Sequence, residues 1–180
     1  MPFSLFDWTH LAALAAMLLA AMWQDAAMRR IPNTLVLWGS LTALGLSLSP
    51  HGIGLGSAIA GGMVGFLGFG VMYLLRAVGA GDVKLAAATG FFVGHPDMLW
   101  VNLLILVAGG LLSVVWALCT GQLSTTLHNL QAGVTQIWLN RQLDQHSSGS
   151  AFPVGPTRLP YAVAIGMGTA VHVLNHWPQL

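Results

Sequence analysis

Long apolar stretches separated by short polar turns leave this chain few folds. Residues 8 to 25, 33 to 49, 53 to 75, 83 to 93, 98 to 119 and 159 to 177 are each nearly free of charge. A helix rises about 1.5 Å per residue, so about 20 apolar residues cross a hydrocarbon core of about 30 Å. Composition agrees: 6% of the residues are charged, where a soluble domain carries about a quarter. The expectation is an all-α fold, a polytopic membrane bundle of six transmembrane helices, in one membrane domain spanning residues 1–180. The N-terminal stretch lacks a basic leader region and carries Asp7, so it reads as a retained first helix rather than a signal peptide.

The turns set the boundaries. Asp25 ends the first segment, Arg29 and Arg30 mark an aqueous loop, and Pro32 breaks the helix so that Asn33 can cap the next. The third segment has Gly52/Gly56 and Gly61/Gly65 at four-residue spacing. Small residues at that spacing let backbones approach, which predicts that this helix is central to the bundle. The fourth, 83 to 93, is short for a span and suits a helix shielded by its neighbours. Gly94-His95-Pro96-Asp97 closes it, and Pro160 suits the start of the last helix. Between the fifth and sixth segments, Leu123, Leu127, Leu130, Val134, Ile137 and Trp138 recur at helical spacing, predicting an amphipathic cytoplasmic segment within 120–158. Ser147-Ser148-Gly149-Ser150 then opens a flexible connection to Pro153 and Pro156.

Charge placement gives an orientation. With the loops after the first, third and fifth helices in the cytoplasm, Arg29, Arg30, Arg76, Lys84, Arg141 and Arg158 all lie inside. The termini then lie outside. The net charge of +1 says nothing about nucleic acid, since the placement of the charges matters more than their sum. No polyanion-binding surface and no nucleic-acid partner is expected, and the single Cys119 excludes an internal disulfide or a multi-cysteine zinc site.

This topology puts Asp25 and Asp82 at one membrane face. An acid at the edge of a membrane segment is costly unless paired, hydrated or catalytic. Two carboxylates brought within a few ångströms do not readily both ionise, so one keeps a proton while the other acts as a base. That pair can split an amide: the base activates water and the acid protonates the carbonyl oxygen, with no metal or cofactor. Gly79 and Gly81 beside Asp82 permit an irregular turn and close approach of substrate backbone. Lys84 is placed to pair with a carboxylate or a lipid phosphate. Taken alone, each aspartate has a plainer reading, Asp82 as a helix N-cap and Asp25 as an interfacial charge.

Gly79-Ala80-Gly81-Asp82-Val83-Lys84-Leu85, followed by Gly90 and Gly94, resembles the signature of type IV prepilin peptidases, intramembrane aspartyl proteases of the GxGD class. Asp25 with Arg30-Ile31-Pro32-Asn33 is similar to the segment carrying that family's first catalytic aspartate, and Leu159 to Gly166 to the start of its last helix. The resemblance implies a bacterial inner-membrane endopeptidase that removes the leader of prepilins or pseudopilins on the cytoplasmic side. Asp25 and Asp82 would be catalytic, and Gly79, Gly81, Lys84, Pro32 and Asn33 site-supporting. The implied partners are the prepilin, the bilayer and the pilus or secretion assembly machinery. Longer members carry two Cys-x-x-Cys pairs linked to N-methylation. With one cysteine and a short first loop, this chain looks like the compact members serving Flp/Tad-type pili, without the methyltransferase activity.

Other readings compete. A proton-coupled transporter or channel subunit could use both aspartates as a relay, but such sites usually sit near the midplane between inverted repeats. A noncatalytic assembly subunit would tolerate neutral substitutions at both. His172 and His176, four apart, could share a helix face as metal ligands. His51 and His95 fall on the same outer side, no third ligand is fixed by spacing, and the expectation is surface histidines. Ser57 lacks the glycine pattern of a hydrolase nucleophile.

Overall fold

A computed structural model describes residues 5–75, 77–119 and 161–176. They form six helices: α1 Leu5–Met28, α2 Asn33–Ser47, α3 Leu55–Leu74, α4 Ala80–Val93, α5 Asp97–Cys119 and α6 Tyr161–His176. No strand occurs among the described residues. The amphipathic segment and linker expected within 120–158 lie outside the described residues, as do Arg76, Arg141, Arg158 and Pro160.

Three helices, over Trp8–Met28, Leu55–Leu74 and Asp97–Cys119, are long and apolar enough to cross a membrane. Their outer surfaces carry Leu19, Trp23, Phe66, Leu67, Leu103, Val107 and Leu111 exposed. Such a surface is suited to hydrocarbon rather than water.

Boundaries move by a few residues from expectation. α1 continues one turn past Asp25 to Met28 and stops where Arg29 takes a left-handed φ of 53°; the Arg29 N–H still reaches the Asp25 carbonyl at 2.8 Å. Pro32, not Asn33, stands at the cap position of α2, and Asn33 is its first helical residue. α4 starts at Ala80, so Gly81 and Asp82 belong to a helical first turn rather than to an irregular turn before it.

The larger correction concerns the centre. α4, not the glycine-rich α3, is the helix that touches all five others. Val83, Leu85, Ala86, Ala88, Thr89, Gly90 and Phe92 of α4 are buried, so nearly the whole circumference of this 14-residue helix is covered. At ~21 Å it is too short to cross a bilayer unaided, and its neighbours shield it. Two of the four glycines paired at four-residue spacing serve that packing. A Cβ on Gly61 would lie 2.6 Å from the Gly94 Cα, and one on Gly65 would run into the Ala86 carbonyl. Gly56 faces open space, and Gly52 packs instead on the end of α2.

The far end of α4 is pinned by polar contacts. Ser57 Oγ donates to the His95 carbonyl at 2.9 Å, the His95 N–H donates to the Ser57 carbonyl at 3.1 Å, and His10 Nε2 bonds the Phe92 carbonyl at 2.9 Å. His51 and His95 are exposed as expected, but His172 is only 3% exposed. It shares a helix face with Ile165 and Thr169, at four- and three-residue steps, and that face is turned into the bundle.

Where α3 and α4 touch, any side chain must push two backbones apart. Gly61→Val should lower stability by roughly 1–3 kcal/mol, read by thermal unfolding in detergent. Gly45→Ala, at a position facing open space, should leave the midpoint unchanged or slightly raised. Equal midpoints for native and Gly61→Val would refute the close approach.

Candidate active site

The sequence stretches around Asp25, Asn33, Asp82 and Tyr161 converge at one end of the bundle. Successive helices run antiparallel: Gly61 and Gly65 of α3 face Gly90 and Ala86 of α4, and Gly109 and Ile105 of α5 face Tyr161 and Gly168 of α6. This alternation gathers the C-terminal ends of α1, α3 and α5 with the N-terminal ends of α2, α4 and α6.

Asp25 sits one turn before the end of α1 and is buried, at 8% exposure. Its Oδ2 accepts the main-chain N–H of Ala162 at 3.1 Å. The first turn of a helix has N–H groups with no intrahelical partner and a partial positive charge, so the start of α6 is a natural seat for a carboxylate. This bond ties the first helix to the last across 137 residues of chain.

Asp82 is the third residue of α4 and half-buried. Its Oδ2 accepts the Gly79 N–H at 2.8 Å, the side-chain half of a capping box. The plainer reading of Asp82 as a helix-terminus residue therefore holds in part, from inside the helix rather than from the cap position. The Asp82 charge also reaches the Tyr161 hydroxyl. Tyr161 is fixed from other sides, its ring edge-on to Phe69 with centroids 5.9 Å apart and its hydroxyl against Gly109. The α6 start therefore joins Tyr161, packed on Phe69 and Gly109, to Ala162, which holds Asp25.

The supporting residues meet as well. Gly81 lies against Ile31 of the α1–α2 loop, where a Cβ would stand 3.4 Å from the Ile31 side chain. Lys84 Nζ donates to Asn33 Oδ1 at 2.9 Å, so this lysine takes a neutral amide, not a carboxylate, as its partner. Pro32 sets the extended backbone from which α2 departs. Among the described residues no three His, Cys, Asp or Glu side chains gather as metal ligands. Sequence reasoning missed the Ala162 N–H and the Tyr161 ring. The only signal for them was the helix start that follows Pro160, because a main-chain donor leaves no mark in residue type.

The sequence model of the type IV leader peptidase family matches residues 12–118, more than half of the chain and both aspartates included. The chain belongs to the type IV leader peptidase family. No match was found among curated proteins or among solved structures. This leader-peptidase family member is accordingly a membrane peptidase, acting on a protein substrate.

The hydrogen bonds at the two aspartates make separable predictions. Asp25→Ala leaves a buried N–H without a partner and should cost about 1–3 kcal/mol. Asp82→Ala removes a cap on a more open helix end and should cost about 1 kcal/mol. Asn retains an acceptor oxygen at both positions, so Asp25→Asn and Asp82→Asn should unfold near the native temperature in detergent.

Proposed function

We propose that this leader peptidase is an aspartyl endopeptidase that cleaves prepilin or pseudopilin leaders with Asp25 and Asp82 as its catalytic pair. The observation that carries the reading is the hydrogen bond from the Ala162 N–H to Asp25, which seats this acid at the end of the bundle where the start of α4 holds Asp82.

The chemistry follows from charge. When substrate brings the two carboxylates together with one proton between them, the ionised member takes a proton from water as the water oxygen attacks the scissile carbonyl carbon. The protonated member donates to the carbonyl oxygen. On collapse of the tetrahedral intermediate the C–N bond breaks: the carboxyl that took the proton from water gives it to the leaving nitrogen, and a hydroxyl proton of the intermediate returns to the other carboxylate, which restores the pair. The apolar surroundings strengthen these charge interactions relative to water. Gly79 leaves the Asp82 carboxylate uncrowded, since a Cβ there would stand 3.3 Å from Oδ2.

We read all six helices as crossing the membrane, with the short α2, α4 and α6 shielded by or packed on longer neighbours. Arg29, Arg30 and Lys84 lie at the aspartate end, which by the positive-inside rule faces the cytoplasm, with both termini outside. In a bacterial inner membrane this presents the site to a leader before export. The compact chain with one cysteine fits a Flp-type substrate and cleavage without N-methylation.

Co-expression with candidate prepilins from the same genome, read by mass, tests this. The native chain should remove the leader, and Asp25→Asn and Asp82→Asn should each lower the rate at least about 100-fold while remaining folded. Gly79→Ala should slow cleavage roughly tenfold by displacing the Asp82 carboxylate. Prepilins that mature normally with either Asn variant would sink the aspartyl mechanism and point to proton relay instead.

A further inference from the structure

The α2–α4 surface beside Lys84 holds a feature that proteolysis does not use. Asn33, Thr34, Val36, Leu37, Ser40 and Lys84 line an open groove of about 380 Å³. On α2 its residues recur at three- to four-residue steps from 33 to 40, so the groove follows one helix face for ~10 Å. Its mouth is polar, with an amide, a hydroxyl and an ammonium. Its walls farther along are Val36 and Leu37, with the Ser40 hydroxyl beyond them, and on the same helix Leu37, Trp38 and Leu41 are at least half exposed, on an apolar surface that suits lipid.

Lys84 decides what fits. Its ammonium carries three donors, of which Asn33 Oδ1 takes one. Among the described residues no carboxylate pairs with it, because Asp25 and Asp82 are engaged by the main-chain donors Ala162 and Gly79. Arg29 and Arg30 are exposed in the neighbouring loop, so this mouth is cationic. A ligand complementary to it is anionic at one end and apolar beyond. A free anion gains nothing from Val36 and Leu37, and an uncharged apolar helix would leave the ammonium unmatched in lipid.

We propose that this groove binds one anionic glycerophospholipid of the surrounding bilayer, its phosphate on Lys84 beside Asn33 and Thr34 and an acyl chain along Val36 and Leu37. The bound lipid lies two residues from Asp82 and braces the first turn of α4 against α2.

Native mass spectrometry of the full-length protein, released from detergent with phosphatidylglycerol or phosphatidylcholine of the same acyl chains, tests the proposal. The native chain should retain phosphatidylglycerol in preference to phosphatidylcholine. Lys84→Gln should lower that retention about fivefold, the effect of one basic residue at an anionic lipid, and Lys84→Arg should restore it. Leu37→Trp, which fills the groove and keeps the charge, should also lower it. Millimolar inorganic phosphate should not displace the lipid. Equal retention of the two lipids by the native chain, or native-level phosphatidylglycerol in either Lys84→Gln or Leu37→Trp, would overturn the proposal. Displacement by phosphate would assign the site to a free anion and overturn it likewise. Crosslinks from a photoreactive residue at position 37 to polypeptide rather than lipid would assign the groove to a protein partner, with the same result.

Discussion

The backbone contact between α3 and α4 is the constraint on which the rest of the structure depends. Gly61 and Gly65 meet Gly90, Gly94 and Ala86 with no room for a Cβ on either glycine of α3. In lipid, helices gain little from burying apolar surface, because the solvent is as apolar as the side chains, so close approach and dispersion do much of the work. That approach brings the short α4 into the middle of the bundle. Once there, α4 is shielded well enough for a helix too short to span alone, and its N-terminal turn opens at the end where the charges gather.

Position at a helix end then governs the chemistry. Asp82 accepts from the main chain at its own helix start, and Asp25 from the main chain at the start of another. In each case a carboxylate is stabilised near the positive end of a helix. This leaves the lysine of the same turn free of the aspartates and bonded to Asn33. Separation of roles follows: backbone donors hold the acids, while Lys84 is exposed and bonded to Asn33.

The family match spans both aspartates, and each accepts a hydrogen bond from the main chain at a helix start. The family match covers 12–118 and stops short of α6, yet α6 supplies the main-chain donor that holds Asp25. A chain with α1 to α5 alone would keep both aspartates and lose the Ala162 donor that orients one of them. Tyr161 adds a wedge between α3 and α5, seated on Phe69 and Gly109, so the α6 start is held by packing as well as by the hydrogen bond.

Hydropathy by itself determined that this chain is helical and membrane-bound, where each helix begins and ends to within a few residues, and which two acids deserved notice. These follow from the free energy of moving a segment into lipid and from turn residues such as Pro32, both local properties. It did not determine that α4 rather than α3 is central, that His172 is buried, or that Asn33 serves Lys84 rather than capping its own helix. A residue facing lipid and one facing another helix are equally apolar, so local pattern carries little information about which face is inside. Nor does residue type reveal a main-chain donor such as Ala162. Those features were decided only by tertiary packing, where backbone groups distant in sequence come within hydrogen-bond reach.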